Sequence, residues 1–329
     1  MAEIYYYLGH EQFQPEVLVK HAQLAEKTGF DGIFISEHFN PWVADKGASG
    51  FGFTTLGAIA ATTQRIKLMT GVVTPLYRYH PAVVAQAAAT IDRISNGRFI
   101  LGVGTGESIN ETPLGYAFPK YKERSARIKE ALTIMKQLLA GDKLTFAGEY
   151  YQTKNARLYS PPLHDIPILL AAGGPKTAET AGEIADGIII SVKNASEALE
   201  LICIPARKKA TETGKENFLL TASRWTVFAH NKDEAWHALL PWRGLRAPSR
   251  DVATDPEQLQ READALPKEE IISRYTLLSS AKEYIEAYKS LITFLSADII
   301  VIQTTSRNQE YVIDMLGKEV LPELKKLKI

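Results

Sequence analysis

The stretch GIFISEHFNPW (residues 32–42) joins a short apolar run to a polar loop. Its first four residues are apolar and mostly β-prone, which predicts a strand buried on both faces. The run ends at Glu37 and His38, and Pro41 then turns the chain before Trp42. A carboxylate, an imidazole and an indole therefore follow directly on a buried strand. Such a placement is typical of α/β proteins whose site lies at the carboxyl ends of parallel strands.

The same alternation of apolar runs and helical stretches extends along the chain. In PAVVAQAAATIDRIS (81–95), for example, the 3.6-residue spacing predicts one apolar stripe formed by Val83, Val84, Ala87, Ile91 and Ile94. Eight strands with intervening helices predict a (β/α)8 TIM barrel, and a doubly wound open sheet is the alternative. The predicted strands are 4–9, 32–37, 66–74, 99–105, 166–173, 187–192, 218–229 and 298–304.

The length of 329 residues would accommodate two average domains, but it also suits one barrel with insertions. The alternation shows no break, so we expect a single domain over residues 1–329. Two stretches exceed the minimal barrel repeat. Residues 144–159 predict a hairpin-like insertion with Gly148 at its turn. Residues from about 231 to 290 are polar and helical in composition, and they predict a lid or interface element.

Charge and cysteine content exclude several classes of function. The 38 Lys and Arg residues balance 38 Asp and Glu residues, which argues against a nucleic-acid partner. Cys203 is the single cysteine, so we expect a buried structural thiol, no disulfide framework and no metal site. Residues 1–10 carry no secretory pattern, and no run approaches the ~18 apolar residues of a membrane span. We therefore expect a cytoplasmic protein with no membrane partner.

Polar and glycine-rich residues follow the predicted strands at the points where the strands end. In a parallel barrel these ends meet at one rim, so their side chains are expected to converge. An imidazole exchanges a proton near neutral pH, and nearby carboxylates can orient it, which favours an enzyme site over a structural histidine at His38. The strand-end residues are His10, Glu11, Glu37, His38, Trp42, Thr74, Pro75, residues 104–110, residues 171–175, Ser191, Lys193 and Asn194.

Two glycine-rich turns indicate close approach of the backbone to a ligand. LGVGTGE (101–107) does not fit the dinucleotide pattern G-x-G-x-x-G, because Glu107 stands where the last glycine is required. The stretch instead suits a flat or phosphorylated ligand. AAGGP (171–175) precedes a helix and either binds an anion or forms a tight turn. Arg250 and Arg274 lie in polar segments, where they are either solvated or bind a substrate phosphate or carboxylate.

Five segments together resemble the luciferase-like flavin and deazaflavin oxidoreductases: SEHFNPW, TGVVTPLYRYHPAVVAQAAAT, GRFILGVGTGESINE, LLAAGGPKTAETAGEIADG and DALPKEEIISR. Among these, the chain is most similar to the coenzyme F420-dependent glucose-6-phosphate dehydrogenases and their secondary-alcohol and hydroxymycolate dehydrogenase relatives. The resemblance runs in collinear order over nearly the whole chain. It implies a (β/α)8 barrel, a homodimer, F420 as the hydride acceptor and a small hydroxyl-bearing substrate.

The favoured hypothesis is oxidation of a sugar phosphate such as glucose 6-phosphate to its lactone. A secondary alcohol is the alternative substrate with the same cofactor and chemistry. Two further hypotheses are an FMN-dependent monooxygenase and a noncatalytic barrel.

The resemblance also implies roles for individual residues. His38 would accept the hydroxyl proton, Trp42 would cover the reacting carbon, Glu107 would protonate the cofactor ring, and Glu11 would orient His38. A non-proline cis bond is implied between Gly71 and Val72. The implied cofactor-binding residues are Glu37, His38, Gly71, Val72, Thr74, Glu107, Asn110, Ala172, Gly173 and Gly174.

The substrate-binding positions depart from the family pattern. Relatives more often have Asp at the position of Glu37. The positions that hold the phosphate in glucose-6-phosphate dehydrogenases read Ser191, Asn194, Arg250 and Arg274, with Lys193 beside Asn194. Two of these positions are positively charged, so an anionic substrate is implied.

Overall fold

The computed structural model describes residues 1–328, and eight parallel strands form its centre. Each predicted run overlaps a strand, and most of the strands are shorter than predicted; for instance, the run at 66–74 gives a strand over Lys67–Thr70 only. The barrel strands are β1 (Glu3–Leu8), β2 (Gly32–Ile35), β3 (Lys67–Thr70), β4 (Phe99–Val103), β7 (Ile168–Ala171), β8 (Gly187–Ser191), β9 (Leu219–Phe228) and β11 (Ile299–Thr305).

The sheet closes on itself. The strand order is β11-β1-β2-β3-β4-β7-β8-β9, and β9 pairs with β11 to complete the circle. In the register around β1, Tyr5 lies opposite Gly32 on one side and Val301 on the other. The predicted (β/α)8 barrel is therefore confirmed, and the open-sheet alternative is wrong.

Alternation along the strands builds two apolar layers. Tyr5, Tyr7 and Phe34 belong to the cluster inside the barrel, whereas Ile4 and Ile33 pack in the layer beneath the helices. Successive side chains of a strand point to opposite faces, so strands covered on both faces are apolar at every position. This explains why the sequence shows continuous apolar runs rather than alternation.

Helices cover the outside of the barrel. The helices over Pro15–Thr28 and Pro81–Ser95 each begin at a proline and are followed by a residue with positive φ, Gly29 and Asn96, where the chain turns back. The helices are α1 (Pro15–Thr28), α2 (Gly52–Thr62), α3 (Pro81–Ser95), α4 (Ser108–Glu111), α5 (Tyr121–Leu139), α6 (Pro175–Ile184), α7 (Ala195–Ala198), α8 (Ile204–Glu212), α9 (Lys232–Leu239), α10 (Pro256–Asp264), α11 (Lys268–Ser273), α12 (Ala281–Thr293), α13 (Gln309–Met315) and α14 (Leu321–Leu324).

The buried face of α3 differs from the predicted stripe. Val84 and Ile91 are buried, but Val83 and Ile94 are 54% and 49% exposed. The buried face also contains small alanines, including Ala85 and Ala88, so the contact is closer than large side chains would allow. The predicted stripe was therefore wrong at its two ends.

Two segments depart from the minimal repeat. β5 (Leu144–Ala147) and β6 (Gln152–Ala156) form an antiparallel hairpin. Residues 231–290 contain α9, α10, α11 and most of α12, together with a 3-10 helix (Leu240–Arg246) and a short strand, β10 (Thr276–Leu278), which pairs with the end of β9.

Cys203 is fully buried, and burial raises the pKa of its thiol. Among residues 1–328, no helix combines the length and the apolar character that crossing a membrane requires.

Candidate active site

A cavity of about 580 Å³ opens at the carboxyl ends of the barrel strands. Residues that follow each of the eight strands, or lie in the carboxyl-terminal half of a strand, contribute to its wall, as expected for a parallel barrel. One such residue for each strand, taken in chain order, gives the set Glu11, His38, Val72, Glu107, Gly173, Ser191, Trp225 and Gln303.

His38 lies between two carboxylates. Its Nε2 atom is 3.3 Å from Oε1 of Glu11 and 3.5 Å from Oε2 of Glu107. The other ring nitrogen, Nδ1, is 3.1 Å from the carbonyl oxygen of Asn40 and 3.3 Å from Nδ2 of Asn110. The imidazole is therefore held on one side and faces acidic groups on the other, an arrangement suited to proton transfer.

The two carboxylates have different surroundings. Glu11 is buried, accepts a hydrogen bond from the Ser36 hydroxyl and lies 3.4 Å from the hydroxyl oxygen of Tyr7. Burial, with the negative charge of Glu11 adding to it, raises the pKa of Tyr7 well above its usual value, so Tyr7 stays a neutral donor. Glu107 also lines the cavity, but its side chain is 37% exposed.

Asn110 fixes the loop that carries His38. Its Oδ1 atom accepts hydrogen bonds from the backbone N–H of Phe39 at 2.9 Å and of Asn40 at 3.2 Å. Because Asn110 is in α4, which starts one residue after Glu107, this contact links the loops that follow β2 and β4. The two loops therefore fix the positions of His38 and Glu107 relative to each other.

Trp42 closes one side of the histidine. Its ring centroid lies 5.0 Å from that of His38, and the residue is 3% exposed. Arg250 covers Trp42 with its guanidinium carbon 5.3 Å from the ring centroid and donates from Nη2 to Oε1 of Glu107 at 2.6 Å. A residue from the helical insertion therefore reaches the centre of the cavity.

A buried ion network lies behind the histidine. Arg78 pairs with Glu37 and, at 3.2 Å, with Glu111, while the Tyr79 hydroxyl donates to Glu37 at 2.9 Å. Burial raises the pKa of Glu111 to about 7, even though the charge of Arg78 acts to lower it. The predicted cofactor-binding residue Glu37 lines the cavity, but its carboxylate is already engaged here.

Peptide backbone forms part of the cavity wall. The Gly71–Val72 bond is cis, as the resemblance implied. A Cβ atom on Gly104 would lie 2.7 Å from Val72, whereas a Cβ atom on Gly173 would have no protein atom within 4 Å. The peptide at Gly173 is therefore open to a ligand, and a planar ring system fits against such a surface.

The structure brings together most of the predicted site residues. Asn194 is not in the cavity wall: its side chain caps α7, accepting from the N–H of Ser196 at 2.9 Å. Arg274 lines an adjoining smaller cavity. The predicted residues in the main wall are Glu11, Glu37, His38, Trp42, Gly71, Val72, Thr74, Glu107, Asn110, Ala172, Gly173, Ser191 and Arg250. Those outside it, within residues 1–328, are Gly174, Lys193, Asn194 and Arg274. Their roles stay predictions.

An aromatic wall of the cavity and the buried ion network were not predicted from the sequence. Tyr7, Trp225 and Trp242 line the cavity, and the rings of Trp225 and Trp242 meet edge to face at 4.6 Å. Trp242 also donates to Oε1 of Gln12 at 2.9 Å. Inward positions of β1 and β9 would have identified Tyr7 and Trp225. The sequence signal for the ion network was Arg78, which lies between Tyr77 and Tyr79.

Comparisons with known proteins agree with this geometry. The family of luciferase-like monooxygenases matches residues 3–293. An F420-dependent glucose-6-phosphate dehydrogenase of Nakamurella multipartita is 38% identical over 322 residues, covering 96% of this chain and 95% of the relative. The enzyme of the same name from Intrasporangium calvum is 36% identical and covers 96% of this chain and 97% of the relative.

Among solved structures, an F420-dependent secondary alcohol dehydrogenase in complex with an F420-acetone adduct superposes with a TM-score of 0.91. Its identity is 29%, with 98% of this chain and 99% of that chain covered. The F420-dependent tetrahydromethanopterin reductase of Methanopyrus kandleri, 22% identical over 98% of this chain and 99% of that chain, shares the fold with a TM-score of 0.79. The chain therefore belongs to the luciferase-like monooxygenase family and, within it, to the family of F420-dependent glucose-6-phosphate dehydrogenases.

Proposed function

We propose that the protein is an F420-dependent dehydrogenase that oxidises the hemiacetal carbon of a sugar phosphate such as glucose 6-phosphate to its lactone. The observation that carries this proposal is the placement of His38 between Glu11 and Glu107, beside Trp42, at the carboxyl ends of the barrel strands. The names of full-length relatives at up to 38% identity support the same cofactor and substrate.

The cavity wall suits the deazaflavin. Bound there, F420 supplies the hydride acceptor. The open peptide at Gly173 and the backbone at Gly71 and Val72 would hold the ring system. Thr74, Asn110 and Ala172 would complete the cofactor site from the cavity wall, and Gly174 from just outside it.

His38 is the proposed base. Its shorter Nδ1 contact, to the Asn40 carbonyl oxygen, favours the tautomer with the proton on Nδ1. Nε2 is then free to accept the substrate hydroxyl proton, and the resulting imidazolium is stabilised by Glu11 at 3.3 Å. Glu107 is the proposed acid for the cofactor ring, and Trp42 restricts the position of the reacting carbon.

Cofactor titration tests the proposal. Purified protein is titrated with F420 and with FMN, and deazaflavin absorbance is then followed while glucose 6-phosphate or simple secondary alcohols are added. We expect F420 to bind and to lose absorbance with the sugar phosphate. FMN binding without F420 binding, followed by oxygen-dependent turnover, would instead indicate a monooxygenase.

A secondary alcohol is the second candidate substrate. The aromatic side chains of Trp225 and Trp242 face the cavity, and an apolar wall suits an unphosphorylated alcohol. The solved structure with an F420-acetone adduct, 29% identical, supports this alternative. Loss of F420 absorbance with alcohols but not with glucose 6-phosphate would keep the proposed role of His38 and change the substrate.

We also propose that the chain acts as a single-domain barrel, that it pairs as a homodimer and that it functions in the cytoplasm. The resemblance implies the dimer, and the exposed Val83 and Ile94 offer an apolar face for it. Light scattering of the purified protein measures the oligomeric state directly.

A further inference from the structure

Three arginines of the helical insertion approach the cavity, and they differ in their pairing. Arg243 is buried and engaged by Asp264 at 2.6 Å and Asp45 at 2.9 Å. Arg246 and Arg250 lie further along the same segment, and the buried Nε of each contacts no acceptor within residues 1–328. A buried donor left unpaired carries a free-energy cost. The guanidinium groups of Arg246 and Arg250 are therefore less completely paired than that of Arg243, which donates from all three of its nitrogens.

A second cavity, of about 180 Å³, adjoins the first at Leu245, whose side chain lines both. Arg246 and Arg274 contribute guanidinium groups to it, and Glu270 contributes one carboxylate, 3.5 Å from Arg274. Two positive groups against one negative group leave the cavity basic. The main site therefore continues into a space that favours an anionic substituent of the substrate.

Arg250 lines the main cavity and contacts the proposed proton-transfer groups. Its guanidinium donates to Oε1 of Glu107 at 2.6 Å and to Asp251 at 3.2 Å, while Oε2 of Glu107 faces His38. The side chains of Arg250 and Glu107 are 39% and 37% exposed, so a substrate can reach the pair. Arg250 therefore restrains a carboxylate that the proposed reaction needs.

We propose that Arg250 exchanges partners when an anionic substrate binds. Its guanidinium leaves Glu107 and, together with Arg246, takes the anionic group of the substrate, and Glu107 is released toward His38 and the reacting atoms. The exchange breaks one ion pair and forms another, with no covalent step. It rests on the proposed function, because the role of Glu107 is assigned there.

The physical basis of the exchange is the difference between the two anions. A phosphate dianion carries more charge than a carboxylate, and a guanidinium group binds its oxygens through two parallel hydrogen bonds. Anion binding would then favour turnover as well as affinity, because the interaction is used to free a group that acts in the transition state. A substrate without the anionic group would leave Glu107 paired with Arg250.

Separating the substrate into two pieces tests the exchange. Glucose is supplied to the protein with F420, and inorganic phosphate is added separately. We expect phosphate to raise kcat/KM for glucose several-fold in a saturable way. In Arg250→Gln, turnover of glucose without phosphate should rise toward the activated value, and phosphate should have no further effect. Arg246→Gln should require more phosphate for the same activation. Arg261→Gln is the matched control, because Arg261 is a 68% exposed arginine of the same insertion that pairs with the exposed Glu257.

A binding measurement separates this inference from the proposed function. Because Arg250 lies over Trp42, inorganic phosphate should change tryptophan fluorescence saturably in the unmodified protein and not in Arg250→Gln. If neither glucose nor glucose 6-phosphate reduces F420, the proposed function fails, and the fluorescence titration still decides whether phosphate takes Arg250. Pure inhibition of glucose turnover by phosphate, activation that persists in Arg250→Gln, or fluorescence that phosphate leaves unchanged would each overturn the exchange.

Discussion

At the scale of single residues, the proposed reaction depends on one imidazole. His38→Ala removes the proton acceptor but leaves the glycine backbone that would hold the cofactor, so kcat should fall by ~10²–10⁴. The F420 dissociation constant should change by no more than a few-fold. Stopped-flow reduction of F420 and a separate binding titration measure the two effects.

A second histidine provides the control. His237→Ala alters an exposed ring that contacts the carbonyl oxygen of Asp233, away from the cavity, and should leave kcat unchanged. A His38→Ala variant that lost F420 binding but kept its rate once saturated would show that His38 binds the cofactor rather than accepting the proton.

Two glycines distinguish packing from ligand contact. A side chain at Gly71 would overlap the ring of Phe34, so Gly71→Ala should destabilise the fold by about 1–3 kcal/mol, as overpacking does. Gly173 has open space beside it, so Gly173→Ala should leave stability almost unchanged and weaken F420 binding. Thermal unfolding and cofactor titration of both variants check this. Unchanged F420 affinity in Gly173→Ala would place the cofactor elsewhere.

At the scale of elements, local sequence patterns predicted the strands and their ends, but not the contacts between segments that are distant in the sequence. The eight strands were recognisable because each is apolar along its whole length, and their ends located His38 and Glu107. Trp242 could not be placed, because its position follows from how the insertion folds back over the barrel. The buried face of α3 was not predicted correctly, because small alanines such as Ala85 and Ala88 are buried while the larger Val83 is exposed.

The ion network of Glu37, Arg78 and Glu111 links the loops after β2, β3 and β4, and it should make stability depend on pH. Burial raises the folded-state pKa of Glu111 from an ordinary value of 4.5 to about 7. A carboxyl group with a raised folded pKa contributes stability below its unfolded pKa and loses it as pH rises through the folded pKa. The loss between pH 5.5 and 8 should be about 2 kcal/mol.

Glu111→Gln tests this sign. The amide is neutral at every pH, so the free energy of unfolding of the variant, relative to the unmodified protein, should rise between pH 5.5 and 8. Urea unfolding at several pH values measures it, and Glu257→Gln, an exposed carboxylate of α10, serves as the control. A difference that stayed constant with pH would mean that Glu111 is ionised throughout this range.

At the scale of the whole molecule, the exposed face of α3 is the candidate interface of the proposed homodimer. Val83 and Ile94 lie about three turns apart, so they share one side of the helix, and both are about half exposed. Burying them against a second copy would remove apolar surface from water, which favours association. The double variant Val83→Glu with Ile94→Glu would place two like charges on each partner within that contact, and we expect it to be monomeric.

Because both side chains are exposed in the single chain, the double variant should fold with nearly unchanged monomer stability. Light scattering gives the mass, and circular dichroism checks the fold. Ile204→Glu, at a residue of α8 that is 52% exposed, should leave the dimer intact. A double variant that remained dimeric would move the interface away from this face of α3, and an unmodified protein that was monomeric would remove the dimer proposal. Turnover of the monomeric variant would then show whether each barrel works alone.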